Sequence, residues 1–570
     1  MRRTPVSFVA CLLLTVIGAA RIVTTYGVFT QVYDEPAHLA CGMEWLDQGT
    51  YNYEPQHPPL ARVAAALGPY LAGLRSTNHP NSTNPPNMWR EGNEILHSGS
   101  IYARNLTFLR VGILPFFILA SVLVWSWTKR LHGPWAAAAA TFLFTNVPPV
   151  LAQAGIATTD MAATATLLAA VYTFSAWQAE PSAAKTVALG FTVGIALLTK
   201  FSLILFLPIC GAAVLLAAMA EGRPSLTNVL STARRRLKSL LVAGVVTLLV
   251  IWTGYRFSVA PITGPESRPH HLVSRVLGNQ GLLPDVANRI IEFPIPAPEF
   301  FRGLVFLWRH IEDGHNAYLL GEHRDRGWWY FFPVALMVKT PIAVLILVGS
   351  GLVFLGRRRE QQPYWEAFVP VFAAAGILLV CLPSPINLGV RHILPIYPLL
   401  AVIGGFGVVE LTGVRRWGPA LVGSLLLWLA FSAAVAHPHY LAYFNELAGS
   451  EPERILVGSD LDWGQDLGLL SDALRERGVK EVTLGYFGSA DVTRHNLPRV
   501  RPLTLDQPSA GWVAVSLTTL KMQLAKLRGT MPRAFSWLDD YRPVARVGKS
   551  ILLYFVSPLP QAPGQGGLLR

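Results

Sequence analysis

Residues 7–29 read SFVACLLLTVIGAARIVTTYGVF, and residues 30–40 continue as TQVYDEPAHLA. The first stretch can cross a bilayer as a helix, because about 20 predominantly apolar residues span the hydrocarbon core. Arg2 and Arg3 precede it, as in a signal peptide, but no convincing small-x-small cleavage site followed by a soluble domain is present. We therefore predict an uncleaved first span that ends just before an acidic pair, Asp34 and Glu35.

The composition of the whole chain agrees with a membrane protein. Of its 570 residues, 52% are hydrophobic and only 14% are charged, and the mean hydropathy is +0.39. A soluble protein of several domains is less apolar than this. The net charge of +13 would indicate nucleic acid in a soluble chain, but the basic residues here cluster in short loops between apolar runs. We predict no nucleic-acid partner.

Further apolar runs predict a polytopic, all-helical membrane domain. They lie near residues 106–128, 135–151, 161–177, 186–199, 201–220, 238–258, 331–356, 366–382, 393–411 and 418–436. With the first run they predict about eleven spans. Alternate loops are basic and include Lys129, Arg130, Lys185, Arg234, Lys238, Arg357 and Arg416. Positive loops stay in the cytoplasm, so the loops at 30–105 and 259–330 and the C-terminus are predicted outside.

The chain after residue 436 has a different pattern. Short strand-like runs at 482–487, 512–517 and 551–556 alternate with helical patterns at 467–477 and 519–528. This alternation is typical of a small α/β domain. The predicted organisation is a transmembrane domain over residues 1–436 and an extracytoplasmic α/β domain over residues 437–570. The four cysteines have no CxxC spacing, which argues against a disulfide framework or a cysteine zinc site.

Two groups of polar residues in the first outer loop could carry chemistry. Asp34 and Glu35 stand where the first span leaves the bilayer, and a carboxylate there could take a proton from an attacking hydroxyl. The pair could equally cap a helix that begins with a proline. Glu54 and His57 lie in EPQHPPLAR, where they could bind a substrate or a metal ion, or form a rigid turn before a helix.

The joint pattern of an acidic pair after the first span and a His-Pro-Pro-Leu element in the same loop resembles the dolichyl-phosphate-mannose protein mannosyltransferase family. It is also similar to the bacterial phospholipid-carrier-dependent glycosyltransferases with the C-type membrane glycosyltransferase fold. The resemblance covers nearly the whole chain. Further elements that carry it are ATTD at 157–160, LLTKF at 197–201, GWWYFFP at 327–333, KTP at 339–341, GVRH at 389–392, HYLAYFN at 439–445 and DLDWGQD at 460–466.

This resemblance implies an inverting glycosyltransferase that uses a sugar linked to polyprenyl phosphate. It implies a catalytic role for Asp34, with Glu35 as its partner. Asp160 lies at the outer end of a predicted span. It is either a helix cap or a residue that binds the acceptor or the sugar. Glu54 and His57 could also bind the acceptor or the sugar. The acceptor would be a glycan, a lipid or a protein. The enzyme would be a multi-pass protein of a bacterial inner or plasma membrane.

The leaving group of such a reaction is a lipid phosphate, which a cation stabilises best. Basic residues that the topology places outside are Arg391, Lys200, His392 and Arg326, with Arg62 as a further candidate. For Lys200 and Arg391 the competing interpretation is snorkelling from the end of a span.

The resemblance requires no cofactor but leaves room for a divalent metal ion. Glu322 and His323 in the second outer loop could complete a metal site with Glu54 and His57. The competing interpretation is a solvated charged loop in front of an aromatic belt at 328–330.

Two other functions fit a polytopic chain. A transporter or channel places its ionisable residues near the middle of the bilayer and often has repeated halves. Here the candidates cluster at the outer ends of spans, and the sequence shows no internal repeat. A non-catalytic glycan-assembly protein of the same fold would be indicated by loss of the acidic pair, which this chain retains.

Overall fold

The computed structural model of the protein describes residues 3–77, 87–222, 226–263, 269–278, 280–357, 365–414, 416–504, 508–527, 531 and 535–557. These residues form two compact units. The first contains Met1–Gly27, Asp34–Ala317 and Asp325–Ser450, and the second contains Val28–Tyr33, Tyr318–Arg324 and Glu451–Arg570. The second unit's main segment begins at Glu451, whereas the sequence predicted the outer domain from residue 437.

The first unit is built almost entirely from helices. They are α1 (Arg3–Val23), α2 (Glu35–Met43), α3 (Pro59–Leu71), α4 (Met88–His97), α5 (Tyr102–Val111), α6 (Leu114–His132), α7 (Pro134–Thr145), α8 (Pro148–Ala154), α9 (Asp160–Ala179), α10 (Ala183–Leu197), α11 (Leu203–Gly222), α12 (Leu226–Gly254), α13 (Pro269–Leu277), α14 (Leu282–Glu292), α15 (Pro298–Asp313), α16 (Phe331–Lys339), α17 (Ile342–Arg357), α18 (Trp365–Cys381), α19 (Ile396–Thr412) and α20 (Gly418–Ala436). A short ribbon pairs β1 (Val259–Ala260) with β2 (Ile295–Pro296).

Each predicted span coincides with a helix or a pair of helices. In the described part of the chain, four segments are long and apolar enough to cross a membrane, and two bent pairs raise this number to six. The four are Val6–Val23, Tyr102–His132, Arg236–Gly254 and Gly418–Ala436. Shorter apolar helices occupy four further predicted spans: Ala183–Leu197, Leu203–Met219, Trp365–Cys381 and Ile396–Thr412. The number of eleven spans stays a prediction.

Two predicted spans are broken by prolines. The run at 135–151 forms α7 and α8, bent by 66°, and the run at 331–356 forms α16 and α17, bent by 109°. Proline lacks a backbone N–H and disfavours helical geometry in the residue before it. At the second break the Asn445 side chain donates to the carbonyls of Met337 and Thr340 at 2.6 and 2.7 Å. These bonds satisfy carbonyls that the broken helix leaves unpaired.

The first outer loop folds into the protein. Its first helix is α2, and every residue of α2 is buried. It packs against α3 and α4. A Cβ atom on Gly42 would lie 2.2 Å from the carbonyl oxygen of Arg62, so glycine is needed for α2 and α3 to come this close. Helix α2 is therefore an internal element of the first unit.

The second unit is the predicted α/β domain. Its five-stranded sheet has the order β6-β5-β7-β9-β8 and contains β5 (Glu481–Gly485), β6 (Arg499–Pro502), β7 (Gly511–Ser516), β8 (Ala545–Val547) and β9 (Ile551–Val556), with helices α21 (Leu467–Glu476) and α22 (Leu517–Leu527). The unit also includes most of β3 (Ala317–Leu319) and all of β4 (Glu322–Arg324). Strand β5 is parallel to β6 and β7, while β9 is antiparallel to β7 and β8. All three predicted strands and both predicted helices are present, and β6 and β8 were not predicted.

The alternation along the strands explains why the sheet is covered on both sides. Ala514 packs in one apolar cluster with Leu470 of α21. Its neighbours Val513 and Val515 pack in a second cluster with Leu520 of α22. Successive side chains of a strand point to opposite faces, so each helix covers one face of the sheet.

Candidate active site

Four ionisable residues of the first unit form a chain of alternating charge. Arg391 Nη1 donates to Asp34 Oδ2 at 2.9 Å and lies 3.8 Å from Asp160 Oδ2. Lys200 Nζ donates to the other oxygen of Asp160 at 2.6 Å. We call Asp34, Arg391, Asp160 and Lys200 the ion cluster. The structure thus brings together two predicted carboxylates and two predicted phosphate-binding cations from distant parts of the sequence.

Each member of the ion cluster stands at the end of an element. Asp34 is the residue before α2, Asp160 begins α9, Lys200 follows α10, and Arg391 lies in a single 3₁₀ turn before α19. The helices fix the backbone of the residues at their ends, and this holds the four side chains in place. The positions agree with the sequence prediction that polar groups gather at span ends.

Burial differs between the two carboxylates. The Asp160 side chain is 1% exposed and that of Asp34 is 28% exposed. Asp160 Oδ2 is a buried atom without a hydrogen bond. Buried acceptors are nearly always satisfied, so this oxygen is a place for a donor such as a hydroxyl group. On Asp34, Arg391 occupies Oδ2 only, and Oδ1 has no hydrogen bond to the described residues.

Glu35 takes a different position from its neighbour. Its two oxygens accept from Nε and Nη2 of Arg110, both at 2.8 Å, and Oε1 also accepts from the backbone N–H of Ala157 at 2.9 Å. Glu35 is 0% exposed and the Arg110 side chain is 1% exposed. A bidentate pair of this kind fixes three segments of chain. Glu35 therefore holds α2 against α5 and the segment before α9.

Arg62 joins several residues of the first outer loop. It forms a buried ion pair with Glu54 and donates to the Tyr51 hydroxyl at 3.1 Å and to the Glu54 carbonyl at 2.7 Å. Its Nε donates to Nδ1 of His38 at 3.0 Å. The Tyr51 hydroxyl in turn donates to the carbonyl of His57 at 2.6 Å. Arg62 is thus occupied within the protein, as is the carboxylate of Glu54.

The charges of the ion cluster act on the pKa of three histidine rings. The rings of His38 and His57 meet edge to face with centroids 5.5 Å apart, and His57 Nδ1 is buried without a hydrogen bond. The His392 ring stacks on Phe332 at 5.5 Å. Burial is the main cause that lowers the pKa of all three rings, that of His392 to about 3, and the nearby cations lower it further. The lowered pKa favours the neutral form of each ring.

The remaining predicted residues lie elsewhere. Arg326 is exposed and donates to the carbonyl of Glu312 at 2.9 Å. Glu322 and His323 are on β4 in the second unit, where Glu322 lies 3.6 Å from Arg324. Within the described ranges, no group of three or more His, Cys, Asp or Glu residues could hold a metal ion. The residues that the structure describes therefore give no support to a metal site.

The acidic loop of the second unit has a structural role. Asp462 accepts from the backbone N–H of Thr518 at 2.7 Å and from the Ser516 hydroxyl, and Asp466 accepts from the N–H groups of Lys549 and Ser550. Both carboxylates therefore join separate segments of the second unit. Burial raises the pKa of Asp462 to about 6.

Sequence reasoning missed His38 and Arg110. His38 lies four residues after Asp34, and its N–H donates to the Asp34 carbonyl at 3.1 Å. Because residues four apart share one face of a helix, the spacing could have identified His38. Arg110 is 75 residues from Glu35 in the sequence, and no local pattern connects them.

Comparisons with known proteins agree with the family resemblance and the fold. The sequence profile described as dolichyl-phosphate-mannose-protein mannosyltransferase matches residues 100–253. The chain is similar to the crystal structure of ArnT from Cupriavidus metallidurans bound to undecaprenyl phosphate, with 14% identity and a TM-score of 0.50, over 95% of this chain and 97% of that one. It is also similar to the archaeal oligosaccharyltransferase AglB from Archaeoglobus fulgidus, with 13% identity, a TM-score of 0.45, and coverage of 90% and 71%. No curated protein matches the sequence.

The predicted resemblance to the mannosyltransferase family is confirmed over the matched residues. The likeness to ArnT shows the fold, which is that of the C-type glycosyltransferases. Asp34 and Arg391 lie outside residues 100–253, so their roles follow from the geometry of the ion cluster and are proposals.

Proposed function

We propose that the protein is an inverting glycosyltransferase that moves a sugar from a polyprenyl phosphate carrier to an acceptor hydroxyl at the outer face of the membrane. The observation that carries this proposal is the ion cluster, in which a half-buried carboxylate is joined to a buried one through an arginine. This arrangement puts the proposed base, Asp34, next to Arg391, the cation proposed to bind the phosphate. ArnT, which has the same fold, was crystallised with undecaprenyl phosphate, and this supports a carrier of that class.

The reaction needs one bond to form and one to break at the anomeric carbon. The acceptor oxygen attacks this carbon from the face opposite the phosphate, and its proton passes to Asp34 Oδ1, the carboxylate oxygen that Arg391 leaves unoccupied. The bond from the anomeric carbon to the phosphate oxygen breaks, and polyprenyl phosphate leaves. Attack from the opposite face inverts the configuration of the sugar.

Negative charge develops on the phosphate as it leaves. Arg391 and Lys200 are the cations nearest to the proposed base, and both already contact a carboxylate. A guanidinium has several N–H donors, so Arg391 can bind a phosphate oxygen while one N–H stays on Asp34. Cations fixed before the reaction stabilise this charge without reorganisation at the moment of transfer.

Asp160 is assigned to substrate binding. One of its oxygens holds Lys200, and the other is buried without a hydrogen bond. We assign this free oxygen to a hydroxyl group of the sugar or the acceptor, because a hydroxyl would satisfy it at no further cost in burial. Glu35 is assigned a positioning role through Arg110, and no step passes through its carboxylate.

The test is transfer by the purified Asp34→Asn variant. Asparagine keeps the size of the side chain and an oxygen for Arg391, but it cannot accept the proton. Loss of a general base typically costs about a hundred- to ten-thousand-fold in rate. We expect the variant to unfold at the wild-type temperature, to bind undecaprenyl phosphate and to transfer almost no sugar. Transfer near the wild-type rate would remove Asp34 from the mechanism.

A further inference from the structure

His38 occupies a special place beside the ion cluster. It lies one helical turn after Asp34, with its N–H on the Asp34 carbonyl at 3.1 Å. Residues spaced by four lie on one face of a helix, so the side chain of His38 is on the same side of α2 as Asp34. Only 4% of His38 is exposed. Asp160 raises the pKa of its ring, whereas Arg391 and Lys200 lower it.

The partner of His38 fixes which ring nitrogen carries the proton. Arg62 Nε donates to His38 Nδ1 at 3.0 Å. An arginine is only a donor, so Nδ1 must be an acceptor and must be unprotonated. A neutral imidazole with an unprotonated Nδ1 carries its hydrogen on Nε2. His38 is therefore an N–H donor at Nε2.

Arg62 cannot easily turn to another partner. Its remaining nitrogens are held by Glu54 and Tyr51, and the Arg62 and Glu54 side chains are 1% and 8% exposed. The acceptor character of Nδ1 is thus imposed by a buried network. Residues of the first outer loop therefore determine which nitrogen of the His38 ring accepts a hydrogen bond and which one donates.

We propose that His38 is a donor-binding residue whose Nε2–H contacts a phosphate oxygen of the lipid-linked sugar. This rests on the proposed function and adds a binding residue to it. A neutral donor adds a directional hydrogen bond to the charges of Arg391 and Lys200 without a further positive charge in a buried site. Of the ion-cluster charges that act on the ring, the cations Arg391 and Lys200 outnumber the single carboxylate of Asp160, and cations favour an anion such as a phosphate oxygen.

A pair of substitutions separates binding from structure. In His38→Asn the shorter amide reaches the position of Nδ1, where its oxygen can accept from Arg62, but it has no donor at the position of Nε2. In His38→Gln the longer amide places its N–H near the position of Nε2 and loses the acceptor for Arg62. A purely structural His38 would be replaced better by asparagine, and a phosphate-binding His38 would be replaced better by glutamine.

The experiment measures the affinity of the full-length purified chain for undecaprenyl phosphate and its rate of sugar transfer, with thermal unfolding as a check on the fold. We expect His38→Asn to unfold near the wild-type temperature and to lose about ten- to a hundred-fold in affinity and rate, as for loss of one hydrogen bond to a charged group. His38→Gln should retain more of both.

Two results would overturn the inference. One is wild-type affinity and transfer in His38→Asn, and the other is a greater loss in His38→Gln than in His38→Asn. Failure of the proposed function itself looks different, because the wild-type chain would then neither bind undecaprenyl phosphate nor transfer a sugar.

Discussion

Glu35→Gln is expected to damage the fold rather than the chemistry. In the native protein Glu35 and Arg110 form a bidentate pair that is 0% and 1% exposed, and Ala157 donates to the same carboxylate. Removing the charge of Glu35 takes this counter-ion away from a buried guanidinium. Breaking a buried pair in this way costs about 3–5 kcal/mol. Glutamine keeps one acceptor oxygen, so we expect a loss near the lower end of this range.

The assay is the unfolding temperature of the purified variants, measured beside their transfer rates. Asp34→Asn is the matched control, because the two residues are neighbours and Asp34 is 28% exposed. Arg391 keeps Asp160 as a second counter-ion at 3.8 Å, so Asp34→Asn should unfold close to the wild-type temperature. Glu35→Gln should unfold well below it and should retain transfer in the fraction that stays folded.

A double substitution completes this experiment. Glu35→Leu with Arg110→Met replaces the pair by apolar groups, and such replacements are often neutral or stabilising. We expect the double variant to be more stable than Glu35→Leu alone. The reasoning is refuted if Glu35→Gln unfolds at the wild-type temperature but no longer transfers sugar, since Glu35 would then act in the chemistry.

Three further outcomes are expected. Arg391→Ala should reduce transfer by about a hundred- to a thousand-fold and more than Lys200→Ala, because Arg391 touches both carboxylates; equal rates in Arg391→Ala and the wild type would contradict this. Burial lowers the pKa of His38 below its usual value, so the unfolded chain binds a proton at this residue more readily than the folded chain does. The free energy of unfolding should therefore fall as the pH decreases below 6.5, by up to about 1.4 kcal/mol per pH unit. The unfolding temperature at pH 5.5 and 7.5 measures this, and His38→Asn should weaken the dependence. Glu476→Cys, exposed on α21, should react with an impermeant maleimide on intact spheroplasts, whereas Glu180→Cys should react only after lysis; labelling of Glu476→Cys only after lysis would overturn the topology. All four native cysteines are buried, which keeps the background low.

The local features of the fold could be predicted because each depends on a short stretch of sequence. The apolar runs predicted the helices of the first unit, and alternation predicted β5, β7 and β9. The breaks before Pro148 and Pro341 were missed because hydropathy treats a bent run and a straight one alike. The prolines themselves were visible, and their effect on the preceding residue could have been used.

The pairing of charges could not be predicted in the same way. The sequence identified Asp34 and Arg391 separately, although they are 357 residues apart. It also identified Glu54 and His57 as candidate binding residues, but gave no indication that Arg62 takes up the Glu54 carboxylate. Which cation meets which carboxylate depends on how helices pack, and packing is not encoded in any one segment.

Asp34 and Glu35 are neighbours in the sequence, but their carboxylates have different partners in the structure. Successive residues of an α-helix are about 100° apart around its axis, so Asp34 and Glu35 at the start of α2 cannot serve one site together. The structure gives each its own arginine: Arg391 for Asp34 and Arg110 for Glu35. Each of the two negative charges is therefore compensated separately. What the pair shares is the helix itself. Glu35 fixes the orientation of α2, and this orientation places Asp34 and His38 on the side that faces the ion cluster.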